Sequence, residues 1–130
     1  MPQVSVVTSV YNGEEYLEEC VDSILNQTFQ NFEYIILNNG STDGTARILQ
    51  RYTDPRLRII HQENLGISRS LNKGINLSSS DLIAHLDADD YSIPQVLTGH
   101  LYEKIPRYST LRIYVARVDR EKTLKTNSYL

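Results

Sequence analysis

Three carboxylates fall within four residues at Asp87-Ala88-Asp89-Asp90. Held that close, like charges repel, and a cation or solvent must relieve them. On a loop, Asp87 and Asp89 can point the same way. Two such oxygens suit a hard divalent ion that keeps several waters and takes diphosphate oxygens as its other ligands. Mg²⁺ or Mn²⁺ fits oxygen donors of this kind. An ion there would stabilise a departing diphosphate as a Lewis acid. The plainer reading is a solvated turn, with Asp89 or Asp90 capping a helix after Pro94. An Asp-x-Asp decides little alone. Its position directly after the apolar run Leu82 to Leu86 is what favours the metal site.

Three other segments concentrate polar residues. Ser9-Val10-Tyr11-Asn12-Gly13 offers a ring that can pack against a flat base, with polar groups to hold it; the alternative is a turn with a half-buried tyrosine. Asn38 to Thr45 (NNGSTDGT) carries amides and hydroxyls able to hydrogen-bond a base or ribose, with two glycines that permit unusual backbone conformations. A plain strand-to-helix turn, with Asp43 as N-cap, accounts for Asp43 and Gly44 but less well for Asn38 and Asn39. Arg69 and Lys73 are spaced i, i+4 and share a helix face, where they either meet diphosphate charge or are simply solvated. His61, His85 and His100 have no metal-ligand spacing. His85 stands two residues before Asp87 and so shares its side of a strand, which suits a supporting role or a buried, hydrogen-bonded one.

The elements that must position these residues alternate. Gln3 to Val10 is short and β-branched, which suits a buried strand. Glu14 to Asn26 has apolar residues at helical spacing, with Glu14, Glu15, Glu18 and Glu19 near its N-terminus. Phe32 to Leu37 predicts a second strand, and Thr45 to Tyr52 a short helix ended before Asp54-Pro55. Arg56 to His61 predicts a third strand, Gly66 to Leu77 a helix, and Leu82 to Leu86 a fourth strand running into the acidic cluster. This β-α-β-α-β-α-β order predicts an α/β chain with an open, mostly parallel wound sheet and helices on both faces. Ligands of such sheets bind at the carboxyl ends of the strands, where the loops Ser9 to Gly13, Asn38 to Gly44, His61 to Gly66 and Asp87 to Tyr91 would converge. Residues 1–94 form this unit. Residues 95–130 read as a divergent tail: a helix over Gln95 to Ile105 interrupted by Gly99, a strand over Leu111 to Val118, and a frayed polar end.

Composition narrows the function. The 130 residues suffice for one domain with a core. The net charge of −3, with acids and bases interspersed, gives no reason to expect nucleic-acid binding. No apolar run approaches bilayer length, so no transmembrane segment is expected, and Met1 to Val10 reads as a strand rather than a signal peptide. Cys20 is the single cysteine and packs as a small hydrophobe in a helical pattern. Without an internal disulfide a cytosolic setting is permitted, and the expectation is a cytoplasmic protein, free or peripheral at a membrane. Apolar sheet surface left uncovered would favour self-association. No Gly-x-Gly-x-x-Gly follows the first strand and no acids end it, which argues against dinucleotide-binding and phospho-receiver domains.

The segment VSVVTSVYNGEEYLEECVDSILNQTFQNFEYIILNNGSTDGT, followed in order by ENLGISRSLNKGI and LDADDYSIP, resembles the nucleotide-sugar-binding half of family 2 glycosyltransferases. The resemblance runs from Gln3 to Pro94. It implies a GT-A fold, a nucleotide-diphospho-sugar donor (a UDP-sugar), a divalent metal, Mn²⁺ or Mg²⁺, and inversion at the anomeric carbon. By position, Ser9 and Tyr11 fall where the family contacts the base, and Asn39 where it usually places an Asp that reads the base. Asp89 falls on the direct metal ligand and Asp87 on a ribose or metal contact. Two departures follow. An Asn38-Asn39 pair replaces the usual acids, so charge-assisted acceptance from a uracil N–H is lost. The family's catalytic base, a carboxylate that takes the acceptor hydroxyl's proton, belongs to a second half not recognisable here. Asp119 and Glu121 are the only acids in a comparable place and are left unassigned. The loss of pattern after Pro94 predicts a truncated or frame-shifted tail. The competing expectation is a non-catalytic nucleotide-sugar-binding fragment that lacks the base.

Overall fold

The computed structural model describes residues 1–89 and the backbone of 114–117. In chain order the elements are β1 (Val4–Val10), α1 (Leu17–Leu25), β2 (Phe32–Asn39), α2 (Thr45–Leu49), β3 (Leu57–Gln62), α3 (Ile67–Leu77), β4 (Leu82–His85) and β5 (Tyr114–Arg117). They form one sheet of order β3-β2-β1-β4-β5. The first four strands are parallel, and β5 runs antiparallel to β4.

Strand alternation divides the core in two. Val4, Val6, Val10, Tyr34, Ile36 and Ala84 face α1 and α2, against Leu17, Cys20, Val21, Ile24 and Leu49. Val7, Ile35, Leu37 and Ile83 face α3, against Leu71. Strands buried on both faces read as continuous apolar runs, which is why β1 and β2 lack a polar alternation. The expected helices on both faces are therefore present. Gly74 lets α3 lie close to the sheet: a Cβ there would come 2.7 Å from Leu37 Cδ1 and also press on Val7.

Within residues 1–89, three boundaries differ from expectation by two or more residues. β2 runs two residues further, because its ladder with β3 continues through Asn38↔His61 and Asn39↔Gln62. Both asparagines therefore belong to the sheet and not to a loop. α1 begins at Leu17, and Glu14 instead accepts a hydrogen bond from Gly44 N at 2.8 Å. α2 ends at Leu49, short of Tyr52. The expected helix over Gln95 to Ile105, and residues Asp90, His100, Asp119 and Glu121, lie outside the described residues. Among the described residues no helix is long and apolar enough to cross a membrane.

The feature that matters for the site is a break in the pairing. β1 pairs with β2 along its whole length, from Val4↔Phe32 to Val10↔Asn38. Its ladder with β4 runs only from Ser5↔Ile83 to Val7↔His85. Beyond Leu86 N, which donates to Val7 O at 3.3 Å, the two strands part. The sheet therefore opens between β1 and β4, where the strand order reverses. That is the place where open α/β sheets bind ligands.

Candidate functional site

The acidic loop leaves β4 at this opening. Asp87 is half-buried and Asp89 exposed. Asp87 Oδ1 lies 3.2 Å from His85 Nε2, so the histidine supports the carboxylate from the same strand face. Among the described residues no group of three or more His, Cys, Asp or Glu side chains is gathered into a metal cage. Two carboxylates on an open loop could still hold a hard ion, provided its remaining ligands came from water and diphosphate. Mg²⁺ or Mn²⁺ fits them.

On the α3 side of the opening a side-chain network joins β1, β2, β3 and the loop before α3. Its orientation follows from proton bookkeeping. Leu65 N can only donate, and it donates to Asn39 Oδ1 at 2.9 Å. Gln62 must therefore present Nε2 to that same oxygen, at 3.1 Å. Asn39 Nδ2 in turn donates to Asn64 Oδ1, which also accepts from Gly66 N. Gln62 Nε2 reaches Ser70 Oγ as well, and Ser9 donates to Ser70 at 2.8 Å. Among the described residues, Gln62 Oε1 and Asn38 Oδ1 are buried without a hydrogen-bond partner. The network defines the approach to α3, whose N-terminus carries no side-chain cap and whose third residue is the exposed Arg69. Uncapped N–H groups at a helix start favour anions.

On the other side the first and second loops are laced together. Asn12, at φ 51°, presents Oδ1 to Thr42 N at 2.8 Å, and its own N–H donates to Ser41 Oγ at 3.0 Å. Gly13 N donates to Thr45 Oγ1, and Glu14 N to Asp43 Oδ2. Asp43 also accepts from Thr45 N at 3.0 Å, the expected capping contact, although the helix proper starts one residue later. Burial pushes the Asp43 carboxyl up, but its hydrogen bonds from Thr45 and Glu14 outweigh that and hold it below the usual range.

These contacts sort the expected ligand residues. Tyr11 stands half exposed at 50 % relative accessibility, and Arg69 and Asp89 face solvent. Ser9 and Asn39 are instead spent on the α3-side network, and Asn39 is only 4 % exposed. The hydroxyls of Ser41 and Thr45 serve the first loop. Sequence reasoning missed Ser70 and the partners of Asn12, Gln62 and Asn64, because hydrogen bonds between distant segments leave no periodic signal. It also passed over Thr8 and Tyr34, polar residues inside apolar strand runs, which were visible as exceptions.

A mostly parallel wound sheet, opened at its switch point and bearing an acidic loop there, defines a Rossmann-like domain. The chain belongs to glycosyl transferase family 2, whose family model matches residues 5–128. That match continues past Pro94, beyond the motifs that carry the resemblance. The chain is similar to glycosyltransferase GlyA of Streptococcus pneumoniae serotype 4, at 40% identity over 108 residues, 82% of this chain and 15% of that protein. It is also similar to the crystal structure of S. aureus TarS 1-349 in complex with UDP-GlcNAc, with a TM-score of 0.72, 26% identity, and coverage of 78% of this chain and 30% of that one. The mannosyltransferase PcManGT from Pyrobaculum calidifontis, in complex with GDP-Man and Mn²⁺, matches with a TM-score of 0.71 and 26% identity over 77% of this chain and 31% of that one. The fold is thus GT-A, and the chain spans under a third of each of these relatives.

Proposed function

We propose that this chain forms the donor half of a glycosyltransferase. It would bind a nucleotide-diphospho-sugar, with UDP preferred, for transfer of the sugar to an acceptor hydroxyl with inversion. The observation that carries this reading is the acidic loop itself: Asp87 and Asp89 leave β4 at the opening between β1 and β4, with Tyr11, Asn39 and the start of α3 at the neighbouring strand ends. TarS with UDP-GlcNAc and PcManGT with GDP-Man and Mn²⁺ support it by similarity.

Each residue then has a physical task. Tyr11 offers its exposed ring to the flat base. Asp89 and Asp87 would hold Mn²⁺ or Mg²⁺, which when bound supplies Lewis-acid stabilisation of the leaving diphosphate. His85 keeps the Asp87 carboxylate in one orientation. The uncapped start of α3 and Arg69 add positive potential where diphosphate charge accumulates. Ser9 and Asn39 act by shaping the base pocket, since their hydrogen-bonding groups already hold α3 and the loop before it.

Thermal unfolding with a panel of nucleoside diphosphates tests the reading. A site-specific ligand at a hundred times its dissociation constant stabilises by about 2.7 kcal/mol. UDP with Mn²⁺ should raise the midpoint by several degrees, and UDP with a chelator by less. Equal midpoints in all conditions would refute donor binding.

A further inference from the structure

We infer that Thr8, Tyr34 and Cys20 form a buried clamp that fixes the backbone of the acid-bearing loop and so positions Asp87 and Asp89. The inference rests on the reading of those acids as the donor site. Where β4 parts from β1, the carbonyls of Leu86 and Asp87 lose their ladder partners. A buried carbonyl without a partner is costly, so something must replace the strand. Thr8 Oγ1 donates to Leu86 O at 2.7 Å. Its one proton is then used, so Tyr34 must donate to Thr8 across the 2.9 Å between their oxygens. Cys20 Sγ lies 3.6 Å from the Tyr34 oxygen and 3.5 Å from Asp87 O, and the latter can only accept. Thr8, Tyr34, Cys20 and Leu86 are all fully buried.

The donors therefore point one way, from β1, β2 and α1 toward two consecutive carbonyls just ahead of the acids. Fixing both carbonyls fixes the two peptide planes that meet at the Asp87 Cα, and with them the direction in which the Asp87 side chain leaves the chain. Burial and the neighbouring thiol hold the Tyr34 phenol well above its ordinary pKa, so it remains a donor. Thr8, Tyr34 and Cys20 are positioning residues, since none of them reaches the ligand.

The test uses Thr8→Val, which keeps the shape and removes the hydroxyl, with Thr8→Ser as the conservative variant. Tyr34→Phe is the milder change if Thr8→Val does not fold. Amide hydrogen exchange reads the loop without any ligand. Loss of the clamp should speed exchange of the Leu86 amide, whose bond to Val7 O borders it, about tenfold, the size of one lost hydrogen bond, while the other amides of β1 and β2 stay protected. Mn²⁺ affinity in the presence of UDP should fall about ten- to hundredfold, as for other residues that support metal ligands, while UDP affinity in chelator is unchanged. Thr8→Ser should restore both. Exchange that rises evenly over the sheet, or not at all, would overturn the clamp. If the unaltered chain bound UDP with no dependence on Mn²⁺, the donor-site reading would fail and take the positioning role with it; the exchange comparison would still decide whether the loop is held.

Discussion

At the residue scale the site divides into groups that face the opening and groups that hold it in shape. Asn39 belongs to the second set. Its carbonyl oxygen already accepts from Gln62 and Leu65, and its amide donates to Asn64. Asn39→Asp keeps both acceptor contacts but sets a carboxylate oxygen against Asn64 Oδ1, which is itself held by Gly66 N. The variant should lose about 1–2 kcal/mol of stability. An unchanged urea midpoint would contradict this. Asp43 carries a pH-dependent contribution. Its folded pKa lies below the unfolded one, so its hydrogen bonds stabilise fully above the unfolded carboxylate range and fade as pH falls through the folded value. Asp43→Ala should be less stable than the unaltered chain at neutral pH, and urea midpoints of the two should converge in strong acid.

At the element scale the apolar runs marked out every strand and helix core among the described residues, because burial on both sheet faces writes itself into composition. What the runs did not mark was where pairing ends. β2 continues through Asn38 and Asn39 because β3 still offers ladder partners there. Polar composition at a strand end looked like a loop, and only the neighbouring strand decides. Two glycines test how the elements meet. Gly40 has φ +75°, and a Cβ there would sit 2.7 Å from the Asn64 backbone nitrogen. Gly40→Ala should therefore cost about 1–3 kcal/mol, read from urea denaturation, and loosen the β3–α3 loop. Gly74 is in α3, where propensity alone favours alanine by about 1 kcal/mol. Packing opposes it, because the methyl group meets the buried Val7 and Leu37. Overpacking of this kind costs about 1–3 kcal/mol, so Gly74→Ala should destabilise. A raised melting midpoint would contradict the close packing of α3 on the sheet.

At the scale of the whole molecule, topology turns separate motifs into one site. Tyr11, the asparagine pair, Arg69 and the acidic cluster are far apart in the chain, yet the order β3-β2-β1-β4 sets their strand ends side by side. The place of the acids at the opening was legible from residue type and from their position after an apolar strand. The supporting residues were not, since Thr8, Gln62 and Ser70 take their meaning from partners in other elements. The opening between β1 and β4 likewise exists only once register is known. Asp89 is proposed to hold a divalent ion against a nucleoside diphosphate at that opening. Isothermal titration of UDP into the chain and into Asp89→Ala, each with Mn²⁺ and with chelator, tests it most directly. Mn²⁺ should tighten UDP binding to the unaltered chain, and Asp89→Ala should bind UDP equally weakly in both conditions. Unchanged affinity and unchanged metal dependence in Asp89→Ala would contradict it.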